Sequence, residues 1–235
     1  MTKQFEVTGI DRSQHPDYVF PPYASTPKRG PKGILLPRVE TLSELTGPVY
    51  GATDVTEIDA DLTQNARVNG EPLGERIIVT GQVLDENNRP VPNALLEVWQ
   101  ANSTGRYLHK NDQHDAPLDP NFTGGGRCMT DENGVYRFVS IKPGAYPWGN
   151  HYNAWRPAHI HFSLFGTNFL SRLVTQMYFP GDPLQPLDPI FNSISDDNAR
   201  ERLIAAYDHD VTEPQWALGY RFNIVLAGSR MTPFE

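Results

Sequence analysis

The clearest periodicity in the chain lies in "GVYRFVSIKPG" (134–144), where Val135, Arg137 and Val139 alternate with Tyr136, Phe138 and Ser140. A two-residue period is that of a strand with one face buried. Similar β-rich runs occur in "ERIIVTGQVLD" (75–85) and "NALLEVWQA" (93–101), joined by "ENNRPVP", whose Asn, Asn and Pro favour a turn. "AHIHFSLFG" (158–166), "RLVTQMYF" (172–179) and "YRFNIVLAG" (220–228) predict three more strands. One helix is predicted in "SDDNARERLIAAYDHD" (195–210), with Ser195 placed to cap, acids in the first turn, and Leu203, Ile204 and Tyr207 on one face.

Before residue 75 the pattern is different. Clusters such as "PPYASTPKRGPKG" show little periodicity, and "TLSELTG" (41–47) reads as a helical turn ended by Gly47. The expected organisation is an irregular arm over 1–74, packed on the core or on a partner, followed by a β-sandwich over 75–235. Nineteen glycines and 21 prolines in 235 residues support short strands and frequent turns. The fold class is therefore mainly β, a sandwich with one or two short helices.

Charge and cysteine content narrow the function classes. The formal charge of −8, with no Lys/Arg run, argues against nucleic acid as a partner. No run of about 18 apolar residues suggests a membrane span, and "MTKQFEVTGI" lacks a signal-peptide core. The one cysteine, Cys128, cannot form an internal disulfide, which fits a reducing cytoplasm.

The candidate chemistry begins at "RPAHIHF" (156–162). In a strand His159 and His161 share a face, with Ile160 and Phe162 opposite. Neutral imidazoles side by side suit a transition metal. A cupin-type site would need an acid soon afterwards, and "HIHFSLFGTNF" has none; a structural zinc would need more cysteine. His109, His114, Asp112 and Asp115 lie in "LHKNDQHDAP", which reads as a hydrated loop. What the chain offers is tyrosine: Tyr107 after the "LLEVWQ" run, and Tyr146 between Pro143 and Pro147. Either could equally pack at a sandwich rim. Trp99 reads as core.

"KPGAYPW" followed by "WRPAHIHF", with "EVWQANSTGRY" upstream, resembles the intradiol ring-cleavage dioxygenases. The likeness runs from "HPDYVFPPY" through "TDENGVYRF" and "YFPGDPL" to "YRFNIVLAG", most of the chain. It implies a prealbumin/transthyretin-like sandwich. It also implies a non-haem Fe(III) held by Tyr107, Tyr146, His159 and His161 with a solvent hydroxide, Tyr146 and His161 being axial. The three positive charges of ferric iron then meet three anionic oxygens, and a neutral total lowers the cost of burial.

By the same resemblance, Tyr146 acts as ligand and base, Arg156 stabilises negative charge on the substrate ring, and Gln176 hydrogen-bonds near Arg156. Tyr23, Trp148 and Ile190 match substrate-pocket positions. The implied reaction is cleavage of a catechol ring by O2, with protocatechuate favoured over catechol or hydroxyquinol. Only nine residues separate Tyr146 from Arg156, and the arm is irregular rather than helical. The implied partner is a homologous α chain lacking the metal ligands, in a higher oligomer. Ala145 and Gly149 depart from the family pattern, where proline and arginine are expected; a looser turn and a lost charge at the entrance are the anticipated effects. The contrasting reading is a transthyretin-like binding module, which has no need for the four ligands together.

Overall fold

The computed structural model describes residues 12–33, 54–165 and 172–234. The expected helical turn at 41–47 lies outside them. Eleven strands follow in chain order among the described residues: β1 (Arg76–Leu84), β2 (Leu95–Trp99), β3 (Gly125–Met129), β4 (Val135–Ile141), β5 (Tyr146–Pro147), β6 (Trp155–Arg156), β7 (His159–Phe165), β8 (Leu173–Tyr178), β9 (Ala206–Tyr207), β10 (Leu218–Arg221) and β11 (Ile224–Val225). One sheet is built on β1, which pairs antiparallel with β4 on one edge and parallel with β10 and then β11 on the other. The second sheet has the order β3-β2-β7-β8, all antiparallel, and β5 with β6 forms a separate ribbon.

The two sheets face one another across a single large core. Ile77, Val79 and Val83 from β1 and Tyr136 and Phe138 from β4 meet Leu96, Val98, Ile160, Phe162 and Leu164 from the second sheet. The alternation legible in 134–144 sends Tyr136 and Phe138 inward and exposes Arg137. The described arm contributes to this core as well. Leu62 is fully buried in it, and its N–H donates to the Val139 carbonyl at 2.9 Å.

Two predicted elements need correction. The predicted helix over 195–210 is only the turn Asp197–Glu201, capped by Asp196, not Ser195. The chain beyond it bends to place Tyr207 in β9, because β10 offers Tyr220 and Arg221 as antiparallel partners. The run "YRFNIVLAG" splits into β10 and β11, since the Asn223 side chain takes the Gln82 N–H. A strand unannounced by periodicity is β3, whose glycines let the Asp59–Leu62 segment lie against Gly126.

Short helical turns pack against the outer face of the second sheet at β8. Phe191, Ile194, Ala199 and Leu203 pack around Tyr178 of β8. Cys128 lies in the core, where burial pushes its thiol pKa up to about 12. No helix among the described residues is long and apolar enough to cross a membrane.

Leu62→Ala is expected to cost about 2–5 kcal/mol of stability, the range for truncating a buried leucine. Urea unfolding measures it, and a change below about 0.5 kcal/mol would show that the arm is not part of the core.

Candidate functional site

Strand parity decides where the site lies. Ile160 and Phe162 are fully buried between the sheets, so His159 and His161 project from the opposite face of β7. Register then gives them neighbours. His161 pairs with Trp99 of β2 on one side and Gln176 of β8 on the other, while His159 pairs with Tyr178. Residues opposite one another share a face, so Trp99, His161, Gln176, His159 and Tyr178 form one patch. Trp99 is therefore not core. With Leu96 and Val98 taken by the core, it turns outward and stacks on His161, centroids 4.7 Å apart and 4° from parallel.

His159 has a defined tautomer. Its Nδ1 is 2.8 Å from the Pro157 carbonyl, which can only accept, so Nδ1 carries the proton and donates. The lone pair at Nε2 then points into the site, where Tyr107 Oη lies at 3.3 Å and Arg156 Nη1 at 3.2 Å, both as donors. Burial first, then Arg156 and His161, holds the His159 pKa well below the usual value. The imidazole is thus neutral, the form that ligates metals.

Tyr107 and Tyr146 reach this patch from two loops in contact. Gly105 has φ +79°, and a Cβ there would fall 1.9 Å from the Ala145 carbonyl oxygen. Only glycine allows that approach. Asn102 Oδ1 fastens the first loop by accepting from the N–H groups of Thr104 and Arg106, and its carbonyl accepts from Gly144 N–H of the second. The turn before Tyr146 is thereby held with alanine at 145. Asp112 belongs to this framework rather than to a hydrated loop, being buried and accepting from Tyr107 N–H at 2.7 Å. The two tyrosine rings meet edge to face at 5.0 Å, Tyr107 lies 6.4 Å from His161, and the histidine rings are 4.9 Å apart. Burial, then Asp112, raises the Tyr146 pKa against a smaller lowering by Arg156.

Arg156 stands beside Tyr146 in the β5–β6 ribbon and is almost fully buried. Its Nη2 donates to Gln176 Oε1 at 2.6 Å and to Tyr178 Oη at 3.0 Å, and Asp188 binds its Nε and Nη2, both at 3.0 Å. Burial alone would lower its pKa; Asp188 and then Tyr178 more than reverse this, so it stays protonated. Tyr178 and Asp188 were not singled out from the sequence. Register with His159 could have found Tyr178, whereas "PLDPIF" carries no signal for Asp188.

The remaining candidates are Trp148, Tyr23 and Ile190. Trp148 packs under Arg156, whose Cζ is 5.4 Å from the ring centroid, and meets Tyr23 edge to face at 4.6 Å. Tyr23 and Ile190 line a cavity of about 240 Å³ between the arm and the Pro189–Asn192 turn. That cavity's walls include none of Tyr107, Tyr146, His159 and His161; Tyr23 joins it to Trp148, which lies against Arg156. Gly149, where a charge was expected, faces open space. Among the described residues no group of three or more His, Cys, Asp or Glu gathers to bind a metal. The donors here are two phenols and two imidazoles. Phenols become ligands only by losing a proton, which demands a highly charged cation.

A β-sandwich with phenol and imidazole donors converging on the outer face of one sheet, beside a buried arginine, defines a class of site rather than a particular protein. A family profile described as "Dioxygenase" matches residues 45–228, and one described as "Protocatechuate 3,4-dioxygenase beta subunit N terminal" matches 11–37. The chain is 63% identical over 229 residues, 97% of each protein, to a protocatechuate 3,4-dioxygenase beta chain of Burkholderia cepacia. It is 30% identical to a protocatechuate 3,4-dioxygenase alpha chain of Pseudomonas putida, covering 85% of this chain and 96% of that one. The fold is similar to that of a 3-chlorocatechol 1,2-dioxygenase from Rhodococcus opacus, with TM-score 0.54, 23% identity, and coverage of 79% of this chain and 71% of that one. The chain belongs to the intradiol ring-cleavage dioxygenase family. A non-catalytic transthyretin-like module is thereby set aside.

Protein stripped of metal by chelation should lose stability as the pH falls below about 6.5. Burial lowers the pKa of both His159 and His151, so the unfolded chain takes up more protons than the folded one. Thermal midpoints between pH 8 and 5 test this, with His151→Asn flattening part of the slope. A pH-independent midpoint contradicts it.

Proposed function

We propose that this chain is the metal-bearing chain of an enzyme that cleaves protocatechuate (3,4-dihydroxybenzoate) between its hydroxyl-bearing carbons with O2, giving 3-carboxy-cis,cis-muconate. Such a step belongs to the catabolism of aromatic compounds. The observation that carries the reading is the donor set. Two tyrosines and two histidines, delivered from three separate segments, converge on one patch. The name borne by the relative at 63% identity supports the substrate.

The residues that would hold the metal are Tyr107, Tyr146, His159 and His161, and the donors fit ferric iron. Hard anionic oxygens favour the ferric state, and the Nε2 lone pair of His159 is already directed inward by Pro157. Bound there, ferric iron would supply the Lewis acidity that makes a catechol ring reactive toward O2. Everything else is done by side chains.

Tyr146, as phenolate, accepts a proton from one substrate hydroxyl at its Oη. Burial and Asp112 raise its pKa, so the proton stays on once taken. Tyr107, whose backbone is fastened by Asp112, keeps its place. Arg156 presents a buried cation to negative charge developing on the ring, and Gln176 fixes one of its nitrogens. Trp148, beside Arg156, and Tyr23 and Ile190, which line the neighbouring cavity, are the proposed contacts for the aromatic acid. A homologous α chain, of the kind found in the 30% relative, is the proposed partner in a hetero-oligomer, and the cytoplasm the proposed location.

The visible spectrum of the purified protein, before and after anaerobic addition of protocatechuate, tests this directly. A red-brown tyrosinate-to-iron band that shifts on addition is expected. A colourless preparation with stoichiometric iron would sink the ligand set. Tyr146→Phe should retain iron but slow substrate association about 100-fold, since the base is gone; unchanged association kinetics refute that role. His161→Ala should lose most of its iron, as read by elemental analysis.

A further inference from the structure

Asp188 immediately precedes the helical turn Pro189–Asn192, at the position where an aspartate ordinarily accepts from the first turn's N–H groups. It makes no such cap. Its fully buried carboxylate turns instead onto β6, where Oδ1 accepts from Arg156 Nε and Oδ2 from Arg156 Nη2, each at 3.0 Å. Oδ2 also accepts from Tyr178 Oη at 2.8 Å. One edge of the guanidinium is thus taken up by carboxylate, with Gln176 and Tyr178 on the same Nη2. The remaining nitrogen, Nη1, is the one 3.2 Å from His159 Nε2.

We infer that Asp188 is a positioning residue for the ring-cleavage reaction. Its two-point hold orients Arg156 so that the Nη1 edge faces the reacting ring, and its charge lets the cation stay buried. The inference rests on the reading of Arg156 given under Proposed function. Arginine cannot shed its proton to relieve burial. Without the carboxylate the guanidinium must therefore seek water, and it leaves the site by doing so. Asp188 bonds none of the four donors; it acts on Arg156 directly and through Tyr178, whose hydroxyl it also accepts from.

The test is a mutant cycle in the iron-loaded assembly with Asp188→Asn, Arg156→Gln and the pair combined, reading kcat, KM and thermal midpoint. Asp188→Asn is expected to lower kcat about tenfold or more while KM moves less than about threefold, the pattern of an interaction made in the transition state. The double variant should turn over no more slowly than Arg156→Gln alone, and melt above Asp188→Asn, because no unpaired buried charge remains. Asp188→Glu, which keeps the charge but shifts it by one methylene, should fold and recover part of the lost kcat. It stands in if the asparagine variant does not fold, and then its kcat must still fall below wild type with KM retained.

Wild-type kcat in Asp188→Asn, or losses that multiply in the double variant, overturn the inference while leaving Arg156 in its role. Wild-type kcat in Arg156→Gln instead removes Arg156 from the reaction, and Asp188's positioning role with it.

Discussion

The site depends on the parity of β7. Because Ile160 and Phe162 fill the space between the sheets, His159 and His161 have only one face available. The pleat converts burial of two apolar side chains into the orientation of two imidazoles. A slip of one residue against β2 or β8 would reverse all four. The same pairing decides which residues accompany them: Trp99 is flat against His161 because β2 brings it to that rung, and Gln176 and Tyr178 face the arginine because β8 does. The placement of the two imidazoles is in this sense a by-product of packing in the core.

Two loops complete what the sheet begins. Tyr107 and Tyr146 are far apart in sequence, and the closeness of their backbones rests on a missing side chain at Gly105 against Ala145. Asn102 ties both loops together through its carbonyl and side-chain oxygens. The phenols are thus held by hydrogen bonds and close contact, while the imidazoles are held by strand register. That division matches the roles proposed for them: the displaceable donor, Tyr146, sits in a two-residue strand, and the histidines sit in a seven-residue one.

Much of this was legible in the sequence, and the reasons differ by element. The alternation in 135–140 and the pair at 159 and 161 announce strands because one face of each is committed to the core. Family likeness then pointed to Tyr107, Tyr146, Arg156 and Gln176, which the structure gathers around one point. Periodicity was silent on β3, since glycines chosen for close backbone approach carry no apolar signal. It was misleading at 195–210, where helix-forming residues are overridden by the pairing of Tyr207 with Tyr220. Trp99 and Asp188 lay beyond reach for another reason. Their partners are set by register and by a distant segment, and neither is encoded within a window of neighbours.

The Arg156–Asp188 pair has a consequence for how the enzyme meets its surroundings. The side chains are 4% and 0% exposed, so mobile ions have no approach to them. Screening over a Debye length acts on charges that face water, including those that make up the chain's net −8. Added salt can alter how an anionic aromatic acid is drawn toward the entrance. The field beside Tyr146 is fixed by the polypeptide, whatever the ionic strength outside.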